Sequence, residues 1–356
     1  MSSIPTIYFI CPPHNAISGG IKQIYRQASI LNTNGFHAAV LLKKKVNKPR
    51  WFQFQTPILY NPYLFKKIKY ASRNKKINLS RQIILFFLKK LSSKIESESI
   101  FVFPETYGSY ITKVEPQVPK VIFNQNCYYS FYDSHIDSSL ISNSYEHPKT
   151  IATITVSEDS ERYLRYSFPR IHLHRIRLGL DEQIFHYSQR KKKQICFMPR
   201  KLDYDLIQVL SILKLNGIGK EWDFISIENK SEKEVASIMK ESIIFLSFNH
   251  REGFGLPPIE AMACGCYVIG YKGRGGEEYF NPEFTCSIND GDIIEYVKQI
   301  TLAISLFNEN PETLINSGQK ASNFILSMYN LNNEKDDTVK VWHQIIQRFE
   351  HLKNLR

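Results

Sequence analysis

The chain has 356 residues, 43% of them hydrophobic and 13% aromatic, with a net charge of +12. That length allows two domains of ordinary size, and that apolar content excludes a disordered polar chain. The six cysteines form no Cys-x-x-Cys pair, and Cys264-Gly265-Cys266 is too tight for ordinary zinc ligation, so reduced core cysteines of a cytosolic protein are expected.

The opening MSSIPTIYFICPP has no basic leader, and its apolar run is strand-length, so a signal peptide is not expected. TIYFIC reads as a first strand, GGIKQIYRQASILNTNG as a helix closing at Gly35, and HAAVLL as a second strand. A basic tract follows, and no acid occurs before Glu96. Residues 1–180 carry 25 Lys and Arg against 10 Asp and Glu (+15), and the remainder carries 21 against 24 (−3). Such asymmetry points to an anionic partner for the first half, and an anionic membrane surface fits it. The motive residues are Lys43–Lys45, Lys66, Lys67, Lys69, Lys75 and Lys76, with Trp51, Phe52, Tyr63 and Phe65 placed to enter the headgroup level. A solvated basic surface is the competing reading. Basic and aromatic residues interleave in PRWFQFQTPILYNPYLFKKIKY, but no nucleic-acid motif accompanies them, so no nucleic-acid partner is expected. The apolar run IILFFL, Ile83 to Leu88, is far short of the roughly 20 residues a spanning helix needs.

Farther along, SIFVFPE and KVIFNQN read as strands that deliver polar residues at their C-terminal ends, and IATITVS precedes a helix around Glu158 to Tyr166. The polar RKKK at Arg190 to Lys193 opens a second series with strands QICFMP, WDFISI, SIIFLSF and CYVIGY. The last helix, in DTVKVWHQIIQRF, puts Val339, Trp342, Ile345, Ile346 and Phe349 on one face. Strands alternating with helices predict an α/β protein of two doubly wound, Rossmann-like domains facing a central cleft, with ligands at strand C-termini. The expected spans are 1–178 and 179–334, with the helix at 335–356 packing back on the first.

REGFGLPPIEAMACG, residues 251–265, follows the strand SIIFLSF. Its glycines let the backbone N–H groups of Gly253, Phe254, Gly255 and Leu256 turn toward a ligand at a helix N-terminus, which favours an anion. Pro257 suits the start of that helix and Gly265 its stop. Glu260, one turn inside, is placed to accept hydrogen bonds from a diol such as a ribose. The order predicts a nucleoside-diphosphate cradle with a carboxylate at each end, Glu252 and Glu260.

The pattern E-G-F-G-L-P-x-x-E-A-M-A-x-G resembles that of the retaining glycosyltransferases of family 4, which have the GT-B fold. SGGIKQIYRQASILNTNGFHAAVLL is similar to the family's double-glycine loop, helix and second strand. TVSEDSERYLRYSFP and IRLGLDEQIF resemble its segment between domains, and GYKGRGGEEYF its glycine-rich turn and acid. The resemblance implies a retaining hexosyltransferase that moves a sugar from a nucleoside-diphosphate-sugar donor to a glycan or lipid-linked acceptor, in surface polysaccharide or glycolipid assembly. It implies that Glu252 lies by the donor sugar, that Glu260 holds the ribose, and that Gly253 to Leu256 meet the sugar and diphosphate. Gly19 and Gly20 would approach the diphosphate from the first domain. Arg200 matches the family's diphosphate-binding Arg, whereas Lys201 is adjacent to it where the family's Lys comes about five residues later. In place of the family's His near the reacting centre, Asn126 would serve as a hydrogen-bonding group, and Glu105 would face the acceptor or simply be a solvated strand-end acid. No cofactor and no metal are expected, the positive field coming from Arg200, Lys201 and the helix N-terminus. Asp203-Tyr204-Asp205 is an Asp-x-Asp, the metal-binding sign of the other large glycosyltransferase fold, and it leaves metal binding as one alternative. A GT-B nucleotide-sugar epimerase or sugar phosphorylase is another.

Overall fold

A computed structural model describes residues 4–13, 18–45, 52, 54–73, 75–132, 143–199 and 202–355. The chain divides into two compact units. The first comprises Met1–Val156, Ser160–Ile176 and Lys335–Arg356, and the second Ser157–Asp159 and Arg177–Glu334. The main division thus falls at Ile176/Arg177, two residues before the expected 178/179. Ser157–Asp159 goes with the second unit because the Glu278 carboxylate accepts the Glu158 backbone N–H at 2.6 Å, and Arg274 lies 3.8 Å from Asp159.

In the first unit, β1 (Thr6–Ile10), α1 (Gly19–Thr33), β2 (Ala38–Leu42) and β3 (Ile58–Tyr60) are followed by two surface helices, α2 (Pro62–Ala71) and α3 (Leu79–Lys90). Then come β4 (Ser99–Pro104), β5 (Lys120–Asn124), β6 (Thr150–Thr155), α4 (Glu158–Ser167) and β7 (Leu173–Arg175). Among the described residues these strands form one seven-stranded sheet, β3-β2-β1-β4-β5-β6-β7, parallel throughout. Strands covered on both faces must be apolar along their whole length, and β2, AAVLL, is buried at every position.

The second unit runs β8 (Lys192–Phe197), α5 (Asp203–Leu215), β9 (Asp223–Ser226), α6 (Glu232–Glu241), β10 (Ser242–Asn249), α7 (Leu256–Ala263), β11 (Tyr267–Lys272) and β12 (Thr285–Ile288). Helices α8 (Ile293–Glu309) and α9 (Pro311–Met328) follow, and α10 (Leu331–Asn354) ends the described chain. The sheet order is β12-β11-β10-β8-β9, again all parallel. Its core joins Ile195, Leu246, Ile269 and Tyr296 from strands and α8.

From Lys335 onward α10 belongs to the first unit. It buries Val341, Trp342, Ile345 and Phe349, with Trp342 6.1 Å from the Phe9 ring. Val341 takes the place expected for Val339, which is half-buried, because the buried stripe runs Thr338, Val341, Trp342, Ile345 and Phe349 at helical spacing.

The expected headgroup aromatics are corrected. Phe52 is buried against Tyr25, ring centroids 5.5 Å apart. Phe65 lies with Leu64 and Ile68 on the inner stripe of α2. Tyr63 is half-buried under Lys67, and Trp51 lies outside the described residues. Lys67 is taken up by an ion pair with Glu115 at 2.6 Å. No helix among the described residues is long and apolar enough to cross a membrane.

Candidate functional site

In a doubly wound sheet, ligands bind outside the strand C-termini where the chain departs in opposite directions from two neighbouring strands. In the first unit those neighbours are β1 and β4. Gly19 and Gly20 open α1 after β1, Glu105 follows β4, and Gln125 and Asn126 follow β5. The structure ties these segments together. The Gln125 backbone N–H donates to Glu105 Oε2 at 3.0 Å, and the Gln125 side-chain amide donates to the Gly20 carbonyl at 3.1 Å. A Cβ on Gly20 would sit 3.2 Å from Gln125 Oε1, so the glycine permits this close approach.

Glu105 is not a solvated strand-end acid. It is buried, and burial pushes its carboxyl up to about 7 against the opposing pull of backbone N–H groups. Asn126 is buried as well, and its side-chain oxygen accepts the Tyr128 N–H at 3.1 Å, capping the 3-10 turn at Cys127–Tyr129. Behind it Asn124 donates to Ser130 at 3.1 Å and to Tyr145 at 2.7 Å.

In the second unit the diverging neighbours are β8 and β10. Arg200 and Lys201, which follow β8 in sequence, lie outside the described residues. After β10 comes the loop that the glycines shape. Gly255 has φ of +90°, and a Cβ there would lie 2.7 Å from the Tyr279 hydroxyl and 2.9 Å from Asn249 Nδ2. No side chain fits. Gly275 is equally constrained, since its Cβ would fall 2.5 Å from the Gly253 carbonyl oxygen. Its own N–H donates to the Glu252 carbonyl at 3.1 Å. The buried Tyr279 hydroxyl lies 2.8 Å from the Phe254 carbonyl oxygen and 2.9 Å from that of Gly255, able to donate to either.

This loop presents backbone, not side chains. The Phe254 ring is buried against Tyr279 and Tyr329, at 5.4 and 5.3 Å, so only its main chain is available to a ligand. Leu256 opens α7 with Pro257 second, and Gly265, φ +83°, follows the Cys264 C-cap of α7 and turns the chain away. Glu252 and Glu260 are both half-buried, one ahead of the loop and one inside the helix.

Sequence reasoning passed over two residues. Asn249 ends β10, is buried, and holds a side-chain nitrogen with no hydrogen-bond partner among the described residues. Tyr279, two residues beyond Glu277, braces the loop from below. Neither carries a spacing signal, because each acts through the fold of a separate segment. Glu278, in the glycine-rich turn after β11, has a structural role. Besides capping Glu158 it accepts the Tyr329 hydroxyl at 3.0 Å.

The Asp-x-Asp is also occupied. Asp205 accepts the Tyr271 hydroxyl at 2.9 Å, and Asp203 accepts the N–H of Tyr204 at 2.9 Å in the first turn of α5. Among the described residues no group of three or more His, Cys, Asp or Glu side chains is arranged to hold a metal ion.

Two all-parallel α/β units of this kind have the GT-B fold, and solved structures superpose on nearly the whole chain. Sucrose-phosphate synthase from Thermosynechococcus elongatus matches 96% of it and 99% of its own chain, with a TM-score of 0.67 at 14% identity. HepE from Anabaena, in complex with UDP-glucose, matches 96% of this chain and 100% of its own, with a TM-score of 0.62 at 12% identity. In the second unit, residues 216–321 match the model of glycosyl transferases group 1. An alpha-1,6-glucosyltransferase of Actinobacillus pleuropneumoniae serotype 7 (strain AP76) is 34% identical over 126 residues, which is 34% of this chain and 38% of that protein.

Proposed function

We propose that the protein transfers a hexose from a nucleoside-diphosphate sugar to a glycan or lipid-linked acceptor, retaining the anomeric configuration. The observation that carries this reading is the backbone loop Gly253–Leu256. It enters the N-terminus of α7 at the divergence of β8 and β10, between two half-buried glutamates. A helix N-terminus entered through a glycine loop suits a diphosphate, and a half-buried carboxylate inside the first turns suits a ribose diol. Glu260 is the proposed ribose ligand and Glu252 the group beside the donor sugar. Arg200, with Lys201, is proposed to stabilise the leaving diphosphate, a task otherwise met by a divalent metal, so turnover is proposed to be metal-independent. The unpartnered Asn249 amide adds a donor at the same loop. In the first unit Gly19 and Gly20 are proposed to meet the diphosphate, and Asn126 and Glu105 to shape the acceptor side.

The setting proposed is cytoplasmic assembly of a surface polysaccharide or glycolipid. One relative is a glucosyltransferase and one structural neighbour holds UDP-glucose, so UDP-glucose is the first donor to try. Thermal shift of the full chain with UDP, UDP-glucose and glucose 1-phosphate tests the reading. UDP and UDP-glucose should raise Tm and the sugar phosphate should not. A panel of nucleoside diphosphates and their sugars that leaves Tm unmoved overturns it. Proton NMR of the first-formed product then reads the anomeric configuration.

A further inference from the structure

Helix α3 carries its apolar residues on the wrong side for a core. Over Leu79–Lys90 only Leu85 is buried, and it packs toward α2 with Arg81 and Leu88 half-buried beside it. At 100° per residue, Phe86, Leu79, Ile83, Phe87 and Ile84 fall within one arc on the opposite side. That arc is exposed. Leu79 shows 73% of its surface, Phe87 59%, Phe86 56% and Ile83 51%, and Leu91 at the C-cap continues the strip. Scattered exposed hydrophobics are ordinary, but a contiguous apolar helix face is an interaction site.

The charges around it select the partner. Lys75 and Lys76 precede the helix, Lys94 follows it, Lys89 lies beside the arc and Lys90 within it, and no acid precedes Glu96. Like-charge crowding by Arg73, Lys43, Lys66 and Lys75 holds the exposed Lys69 ammonium below its usual range, so these cations share one neighbourhood. The Lys90 ammonium lies 4.6 Å from the centre of the Phe86 ring, so this cation rises from the apolar face itself and can reach headgroup level by extending along it. An apolar arc of Phe, Leu and Ile rimmed by lysines is the pattern of a helix lying in the plane of a bilayer interface.

We propose that α3 is a membrane-docking helix that seats the first unit on an anionic phospholipid surface, with Phe86, Phe87 and Ile83 entering the acyl boundary and the surrounding lysines meeting headgroup phosphates. This goes beyond the transfer reaction and does not depend on it. Each lysine near an anionic leaflet and each aromatic buried in it adds to the affinity, so both sets are needed for stable seating.

The test is flotation of the full-length protein with phosphatidylcholine vesicles, with and without phosphatidylglycerol, at low and high salt. Wild type should float with the anionic vesicles at low salt and far less with neutral ones. Phe86→Ser/Phe87→Ser should weaken that binding by about tenfold at unchanged Tm, since both rings are exposed. Lys89→Glu/Lys90→Glu should weaken it and flatten its salt dependence. All variants should keep the wild-type Tm shift with UDP-glucose, which separates this proposal from the donor reading. Wild type that ignores anionic vesicles at low salt overturns the proposal, as does binding indifferent to Phe86→Ser/Phe87→Ser. A dimer by light scattering that this double variant dissolves, without vesicle binding, assigns the face to a second copy instead and equally overturns it.

Discussion

Glu105 holds its carboxylate inside the first unit, and its proton makes stability depend on pH. Burial raises its pKa from the ordinary 4.5 to about 7. Below about pH 4.5 both folded and unfolded chains carry the proton. Between 4.5 and 7 the unfolded chain releases it first, so stability falls by up to about 3 kcal/mol as pH rises and is level above that. Glu105→Gln keeps an acceptor for the Gln125 N–H but has no proton to lose. Thermal melts from pH 5 to 8 should show the wild-type Tm falling relative to that of the variant, and parallel curves would place the Glu105 pKa near its ordinary value. The two cradle glutamates should separate in kinetics. Glu260→Ala removes the proposed acceptor of two ribose hydroxyls, each bond to a charged group being worth about 1.5–3 kcal/mol, so donor KM should rise at least about tenfold. Glu252→Gln should lower kcat with donor affinity nearly unchanged. Small, equal effects from both would remove the assignment of roles.

The loop between β10 and α7 is held by parts that lie apart in sequence. Tyr279→Phe deletes only a hydroxyl but releases the Phe254 and Gly255 carbonyls from their buried donor. It should lower stability by about 1–2 kcal/mol and raise donor KM, measured by denaturant melts and initial rates. Gly275→Ala should do worse on donor affinity, since its methyl would press on the Gly253 carbonyl that shapes the cradle. An unaltered KM in both would mean that the loop does not meet the donor. The contrast explains what could be read beforehand. REGFGLPPIEAMACG announced its own loop and helix because glycine at positive φ, proline at a helix start and a carboxylate one turn in are local necessities. Nine of the twelve described strands were equally legible as apolar runs, whereas the short edge strands β3, β7 and β12 were not. Tyr279, Asn249 and the Gln125 bridge to Gly20 were not, because only the folded sheet brings them to their partners. The exposure of IILFFL in α3 was not legible either, because its composition is that of a core segment and its exposure depends on what fails to cover it.

Across the whole molecule, α10 does for the first unit what no local element can. Trp342 is fully buried against Phe9, and Thr338 meets Gln27 of α1 at 3.2 Å, although more than three hundred residues separate them in sequence. Trp342→Ala should destabilise the first unit by about 3–5 kcal/mol. Limited proteolysis should then cut the basic half while residues of the second unit stay protected, and uniform resistance would show that α10 is dispensable. The same placement sets a timetable for biosynthesis. Chains emerge from the ribosome N-terminus first, and domains generally fold as units in that order. Here the first unit leaves the exit tunnel without its last helix and must wait until the entire second unit has been synthesised. During that interval the place that Trp342 fills against Phe9 lacks its occupant. The unit made first is therefore the unit finished last.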